Sequence, residues 1–259
     1  MSDPEISPQL NPQPEPPGGP VMSTPQTLTS IYFEPTSTFQ ALKLRPRFLI
    51  AGLITVIVFM AYYATFEWRV GSEAIIRAQV ESRQPDASPE QIEQAMAMQN
   101  NPIIKAVTYA AFPLVFAIMF AAGAGLYLLG ATLMGKTLTF KQALSLWVYS
   151  TYPPTVIFAL INILLLFLKS KDDIDPTAVN SGIARANPSL FVDTKTQPVL
   201  ATVLGSFDLI SFYGLFLAAI GLKVMAKLSS GSAWAIVLAI WLVGVILRII
   251  MSLAFGQAY

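Results

Sequence analysis

Asp208 is the residue whose type and position could do chemistry, because it stands inside the apolar stretch SFDLISFYG. It lies about eight residues from the start of the apolar block that holds it, which is roughly 12 Å along a helix. Arg248 is the single charge in the next apolar block, near that block's end. Antiparallel helices would bring both charges to a similar depth, where intramembrane charges usually pair. The sequence therefore predicts an Asp208–Arg248 salt bridge, with Ser206 or Ser211 as additional hydrogen-bond partners.

Two other arrangements of these charges stay open. In the first, Arg248 reaches outward alone, and Asp208 titrates as a proton or substrate site. In the second, Asp208 is protonated and bonds to neighbouring hydroxyls. The first would suit a transporter or channel subunit, in which Asn162, Ser206, Ser211 and a proline-broken helix could also line the path. The chain shows no internal repeat, which weakens that alternative.

Several kinds of chemistry have no residues to carry them. The chain has no cysteine and no histidine, which excludes disulfides, Cys or His metal sites, thiol nucleophiles and imidazole bases. Aspartyl proteolysis in the membrane needs two aspartates in neighbouring spans, and Asp208 is the only acid inside any predicted span. The chain also has no glycine-rich phosphate loop. We therefore expect neither an enzyme nor a cofactor. A net charge of +1 gives no sign of a nucleic-acid partner.

The elements that must position these residues are apolar helices. Of 259 residues, 54% are hydrophobic and only 12% are charged, whereas soluble domains carry about a quarter charged residues. Blocks of roughly 20 apolar residues can cross a bilayer as helices. The sequence predicts an all-α, polytopic membrane bundle with the lipid bilayer around it. The five predicted transmembrane helices are 48–66, 106–134, 143–168, 200–226 and 233–254.

Prolines mark a predicted helix break and a predicted tail. Pro153-Pro154 should break the third span near Tyr152 to Thr155, because proline removes backbone donors and restricts the preceding residue. Two interpretations of this break are compatible with the sequence: a simple kink without a function, and a functional hinge. Residues 1–30 contain eight prolines among polar residues and are predicted to be a disordered, proline-rich cytoplasmic tail.

Basic residues orient the bundle. By density, the amino terminus and the short loops are predicted to be cytoplasmic, because basic residues there have no nearby acids. The seven basic residues are Lys43, Arg45, Arg47, Lys136, Lys141, Lys223 and Lys227.

The two longer loops should then lie outside. In 67–105, Ser88 and Gln91 predict a capped helix start, and Glu73, Arg77 and Glu81 have the spacing of helical ion pairs.

The stretch YFEPTSTFQALKLRPRFL, residues 32–49, precedes the first span. We expect it to form a short helix at the membrane surface, with its basic side chains toward anionic headgroups. Its pattern resembles the start of the Yip family, the Ypt/Rab-interacting membrane proteins, in their bacterial branch. The pattern residues are Phe33, Pro35, Phe39, Arg45, Pro46 and Arg47. Similar stretches follow in order: SLWVYSTYPP at 145–154, NPSLFVD at 187–193, and SFDLISFYGLFLAAIGLKVMAKLS at 206–229.

The resemblance implies a five-span membrane domain over 31–259 with a cytoplasmic amino terminus. Eukaryotic relatives bind small Rab-type GTPases through a cytoplasmic amino-terminal region, and here that region is a short tail without a recognisable binding motif. The resulting hypothesis is a non-enzymatic scaffold or adaptor in membrane organisation or trafficking-like processes. It would have protein partners of unknown identity, could form a homo-oligomer, and would lie in a bacterial cytoplasmic (inner) membrane. The alternative is the transporter or channel subunit built around Asp208.

Overall fold

The structure is a computed structural model that describes residues 21–184, 186–194, 196–256 and 258. Over those residues the regular structure is helical, without strands, as the sequence predicts. The α-helices are α1 Thr24–Ser30, α2 Pro35–Leu44, α3 Leu49–Val70, α4 Ser72–Arg83, α5 Pro89–Gln99, α6 Pro102–Leu133, α7 Phe140–Leu168, α8 Pro198–Gly205, α9 Leu209–Met225 and α10 Ser230–Phe255.

The predicted polytopic membrane bundle is confirmed. Helices α3, α6, α7 and α10 are each long and apolar enough to cross a membrane by themselves. The pair α8 and α9 passes the same test only together, and the two helices meet at a bend of 45°. Counting this bent pair as one crossing brings the number of spans to five.

Helix α7 is the centre of the bundle, and it packs against α3, α6 and α9. Small residues permit the close approaches: a side chain at Gly123 of α6 would overlap the ring of Trp147 on α7. At Gly221 of α9, a Cβ atom would lie 2.9 Å from Leu146 and 3.1 Å from Phe39. Close approach of backbones at small residues is the usual basis of helix association in lipid, because lipid tails remove the hydrophobic driving force.

The predicted break of the third span at Pro153 and Pro154 is wrong, because α7 runs through both prolines as one helix. Pro153 is buried, and Gly214 of α9 sits against the Ser150 carbonyl and the Pro154 ring, with a Cβ atom placed there 3.3 Å from each. Thr151 adds a local bond by donating its hydroxyl to the Trp147 carbonyl, 3.0 Å away. Packing by α9 therefore holds the prolines in a helix, and the lost donors are tolerated locally.

The chain is ordered earlier than the sequence predicts. Residues 24–30, assigned to the disordered tail, form α1, which begins with a capping box between Ser23 and Gln26. The Thr27 hydroxyl lies 2.8 Å from the hydroxyl of buried Tyr149 on α7. This anchor overrides the proline-rich composition on which the prediction rested. The rest of the predicted tail, residues 1–20, lies outside the described residues.

The two loops predicted to lie outside meet at one end of the bundle. As predicted, α5 starts with a capping box between Ser88 and Gln91, and α4 carries an Arg77–Glu81 ion pair at 3.9 Å. The second loop contains short 3₁₀ turns at Lys171–Asp173, Pro176–Val179 and Pro188–Phe191. We call this end the opposite face, and the end that holds residues 21–48 the amino-terminal face.

Candidate functional site

Asp208 lies at the bend in the fourth span and caps the second half of it. It is the N-cap residue of α9, and its Oδ1 atom accepts from the backbone N–H groups of Ile210 and Ser211, each at 3.0 Å. Its Oδ2 atom accepts from the Asn187 side chain at 3.3 Å. The Leu209 N–H donates to the Ala186 carbonyl at 3.1 Å. The carboxylate thus joins the helix start to the loop before α8, in the manner of an aspartate N-cap.

The predicted salt bridge between Asp208 and Arg248 is not formed. Within the described part of the chain the ion pairs are Arg77–Glu81 and Lys105–Glu67. Arg248 is exposed on α10. The prediction assumed an unbroken fourth helix, in which the negative charge of Asp208 would need a neighbouring cation. Because the helix restarts at Asp208, two backbone N–H groups and an amide take that role instead.

The other polar residues of the transporter alternative also make structural bonds. Asn162 is fully buried in α7, and its Oδ1 atom accepts from the backbone N–H groups of Ile183 at 2.6 Å and Ala184 at 2.9 Å. The Ser206 hydroxyl donates to the Thr202 carbonyl of its own helix at 2.9 Å. Together with the unbroken α7, these bonds leave the transporter alternative without support.

The short helix predicted within the amino-terminal motif forms as α2, and it packs as a folded layer on α9 and α7. Phe39 and Leu42 of α2 are fully buried and belong to the core shared with α7 and α9. Pro35 begins α2, which suits a residue without an N–H, and Pro46 follows its end. The apolar side of α2 therefore packs against the protein.

Basic residues of the motif also bond to the protein. The Lys43 ammonium donates to the Val224 carbonyl near the end of α9 at 3.1 Å. Burial, followed by the nearby Lys227, lowers the pKa of Lys43. The Arg47 guanidinium donates to the Thr24 hydroxyl at 3.1 Å, whereas Arg45 is exposed.

Phe33 is the exposed aromatic residue of this layer. It lies in the turn between α1 and α2 and is 86% exposed. The neighbouring Tyr32 is half-buried, and its ring meets that of Tyr152 edge-on at 5.8 Å. Burial and a hydrogen bond with Tyr152 raise the pKa of Tyr32, so its hydroxyl stays neutral. The layer therefore holds one exposed aromatic ring on a firmly packed base.

A polar cluster that the sequence analysis missed lies at the opposite face. Glu67 at the end of α3 accepts from the Lys105 ammonium at 3.1 Å and from the Tyr109 hydroxyl at 2.7 Å. Lys105 also lies 3.5 Å from the Ser72 hydroxyl, which donates to Asn100 at 3.0 Å. The sequence does contain a signal for this cluster, because Glu67 and Lys105 each stand at the end of an apolar block. The described residues contain no group of three or more Asp or Glu placed to hold a metal ion.

A family model described as the Yip1 domain matches residues 29–251, a range that begins within α1 and ends within α10. No curated protein and no solved structure matches the chain.

Proposed function

The chain belongs to the Yip1 domain family, and we propose that it acts as a non-enzymatic membrane scaffold or adaptor that binds a partner protein at its amino-terminal face. It is a multi-pass membrane protein whose helices leave many apolar side chains on the outside of the bundle. Those side chains suit lipid. The amino-terminal face differs from these lipid-facing sides, because it carries a folded layer that lies outside the span-length helices.

The exposed ring of Phe33 on this packed layer is the observation that carries the proposal. Several bonds fix the layer: Thr27 to Tyr149 at 2.8 Å, Lys43 to Val224 at 3.1 Å, and Gln142 to the Lys43 carbonyl at 2.9 Å. A surface that is already ordered loses little conformational entropy on binding. Exposed aromatic residues and arginines are the side chains that most often dominate binding energy, and Phe33 and Arg45 supply both.

We further propose that the amino-terminal face is cytoplasmic and that the membrane is a bacterial inner membrane. The orientation is supported by the distribution of basic residues, since Lys136, Lys141 and Lys227 lie in or beside short loops at this face. The bacterial inner membrane rests on the resemblance of residues 32–49 to the bacterial branch of the family. Basic residues in short loops favour the cytoplasmic side.

The orientation is tested by labelling single introduced thiols. Because the chain has no cysteine, a Phe33→Cys or Phe191→Cys variant can be labelled selectively. In cells with a permeable outer membrane, a membrane-impermeant maleimide should label the Phe191→Cys variant and leave the Phe33→Cys variant unlabelled. The reverse pattern would contradict this orientation.

The partner proposal is tested by site-specific photo-cross-linking in native membranes. A photoreactive phenylalanine analogue replaces Phe33, and a matched variant carries it at Phe191, which is 89% exposed at the opposite face. We expect a discrete protein adduct at position 33 that is missing at position 191. Lipid adducts alone at position 33, or the same protein adducts at both positions, would contradict a partner site at this face.

A further inference from the structure

The polar cluster at the opposite face borders a recess in the protein surface. The recess lies among the end of α3, α4 and the start of α6, and its volume is about 120 Å³. One water molecule needs only ~10–15 Å³ of such space, so the recess is large enough for a small polar group. Its polar lining includes Glu67, Ser72, Gln79, Lys105 and Tyr109.

The charged pair in this recess keeps unused bonding capacity. A carboxylate can accept about four hydrogen bonds, and Glu67 accepts one from Lys105 and one from Tyr109. An ammonium group has three donors, and Lys105 directs two of them at Glu67 and Ser72 among the described residues. Both members of the pair can therefore contact a ligand without breaking the bond between them.

The charges of the lining select the class of ligand. A purely anionic or purely cationic group would meet one favourable and one unfavourable charge within the 3.1 Å Glu67–Lys105 pair. A zwitterion can place its cation beside Glu67 and its anion beside Lys105, so both charges are compensated. The carboxylate and the Gln79 amide oxygen are acceptors, which favours an ammonium that still carries N–H donors.

The position of the recess matches the boundary between membrane and water. Trp68 lies beside Glu67 at the end of α3 and is 73% exposed, and tryptophan is enriched at membrane interfaces. Ile103 and Val107, two positions before and after Lys105 on α6, lie at about its depth and are 71% and 60% exposed. A lipid headgroup at this level would reach the recess while its chains stay along α6.

We propose that this recess binds a primary ammonium joined by a short linker to a phosphate, the zwitterion of ethanolamine phospholipids and of free phosphoethanolamine. Its ammonium donates to Glu67 and Gln79, and its phosphate accepts from Lys105. The proposal concerns the opposite face and does not depend on a partner protein at the amino-terminal face.

The test uses the full chain in nanodiscs of phosphatidylcholine that contain either phosphatidylethanolamine or phosphatidylglycerol, with retained lipids counted by native mass spectrometry. The wild type should retain phosphatidylethanolamine in preference to both other lipids. Loss of a charged hydrogen-bond partner should lower its retention about tenfold in Glu67→Gln. The matched control is Glu81→Gln, which removes the carboxylate of the exposed Arg77–Glu81 pair on α4 and should retain the lipid as the wild type does.

A second variant keeps the test decisive if Glu67→Gln fails to fold. Gln79→Trp fills the recess while both charged residues stay in the chain, and it should also lose retention. Titration of free phosphoethanolamine into phosphatidylcholine nanodiscs distinguishes a lipid headgroup from the soluble compound. If the protein binds phosphoethanolamine but does not retain phosphatidylethanolamine preferentially, the site belongs to the soluble zwitterion. Equal retention of the three lipids together with no binding of phosphoethanolamine would overturn the proposal, as would undiminished retention in Gln79→Trp.

Discussion

Replacing Asp208 with alanine should destabilise the start of α9 and detach it from the loop before α8. The alanine variant loses the acceptor for two backbone N–H groups, each 3.0 Å away, and the bond from Asn187 at 3.3 Å. An N-cap is worth about 1 kcal/mol, and a hydrogen bond to a charged group about 1.5 kcal/mol or more. We therefore expect a loss of about 2–3 kcal/mol.

Two further variants separate the capping role from an ion pair. Asp208→Asn keeps a good N-cap and should cost about 1 kcal/mol or less. Arg248→Leu should be close to neutral, because Arg248 is exposed and forms no ion pair with Asp208 among the described residues. The free energies of unfolding of Asp208→Ala, Arg248→Leu and the double variant, measured in detergent micelles, should be additive within about 0.5 kcal/mol. A double variant more stable than Asp208→Ala alone by over about 1 kcal/mol would refute the capping account.

Three other perturbations test the remaining structure. Asn162→Leu leaves two partly buried loop N–H groups without an acceptor and should cost about 2–4 kcal/mol, with faster proteolysis of residues 169–184. Gly182→Ala should cost at least about 1–2 kcal/mol, seen as a lower Tm, because a side chain is strained at positive φ; the φ here is +81°, and a Cβ atom would lie 2.6 Å from the Phe158 ring. Burial and Lys227 place the pKa of Lys43 below its ordinary 10.5, so the unfolded chain binds that proton more tightly. The Tm of the wild type relative to Lys43→Met should therefore rise as the pH increases toward 10.5, and a falling difference would contradict this.

The bundle could be predicted because hydrocarbon imposes a simple requirement on each span. An apolar block of sufficient length must form a helix that satisfies its own backbone, and local capping signals such as Ser88 with Gln91 need no tertiary information. These features depend on neighbours within a few positions along the chain. They were therefore readable from one sequence.

The two helix irregularities were not placed correctly, because distant contacts contribute to both. Pro153 and Pro154 look like a break locally, yet α9 packs against them through Gly214. Asp208 looks like a buried charge in a continuous span, yet Asn187 from a preceding loop completes its bonds. Aspartate is also a strong N-cap signal, so a helix restart at Asp208 was a readable alternative within a long apolar block.

The amino-terminal layer shows the same limit. Composition predicted disorder for residues 24–30, and the pattern of residues 32–49 predicted a short helix without showing what its apolar side would contact. The Thr27–Tyr149 bond and the burial of Phe39 and Leu42 come from residues more than 100 positions away. Phe33 could be recognised as part of a motif, whereas its exposure required the folded layer.

The most direct test of the proposed adaptor function measures how tightly the Phe33→Ala variant binds the partner protein that is captured at position 33. An exposed aromatic ring that anchors an interface contributes about 2 kcal/mol or more, so the dissociation constant should rise by more than about tenfold relative to the wild type. Phe191→Ala, at the opposite face, should bind like the wild type. Equal affinities for Phe33→Ala and Phe191→Ala would contradict a binding surface centred on Phe33.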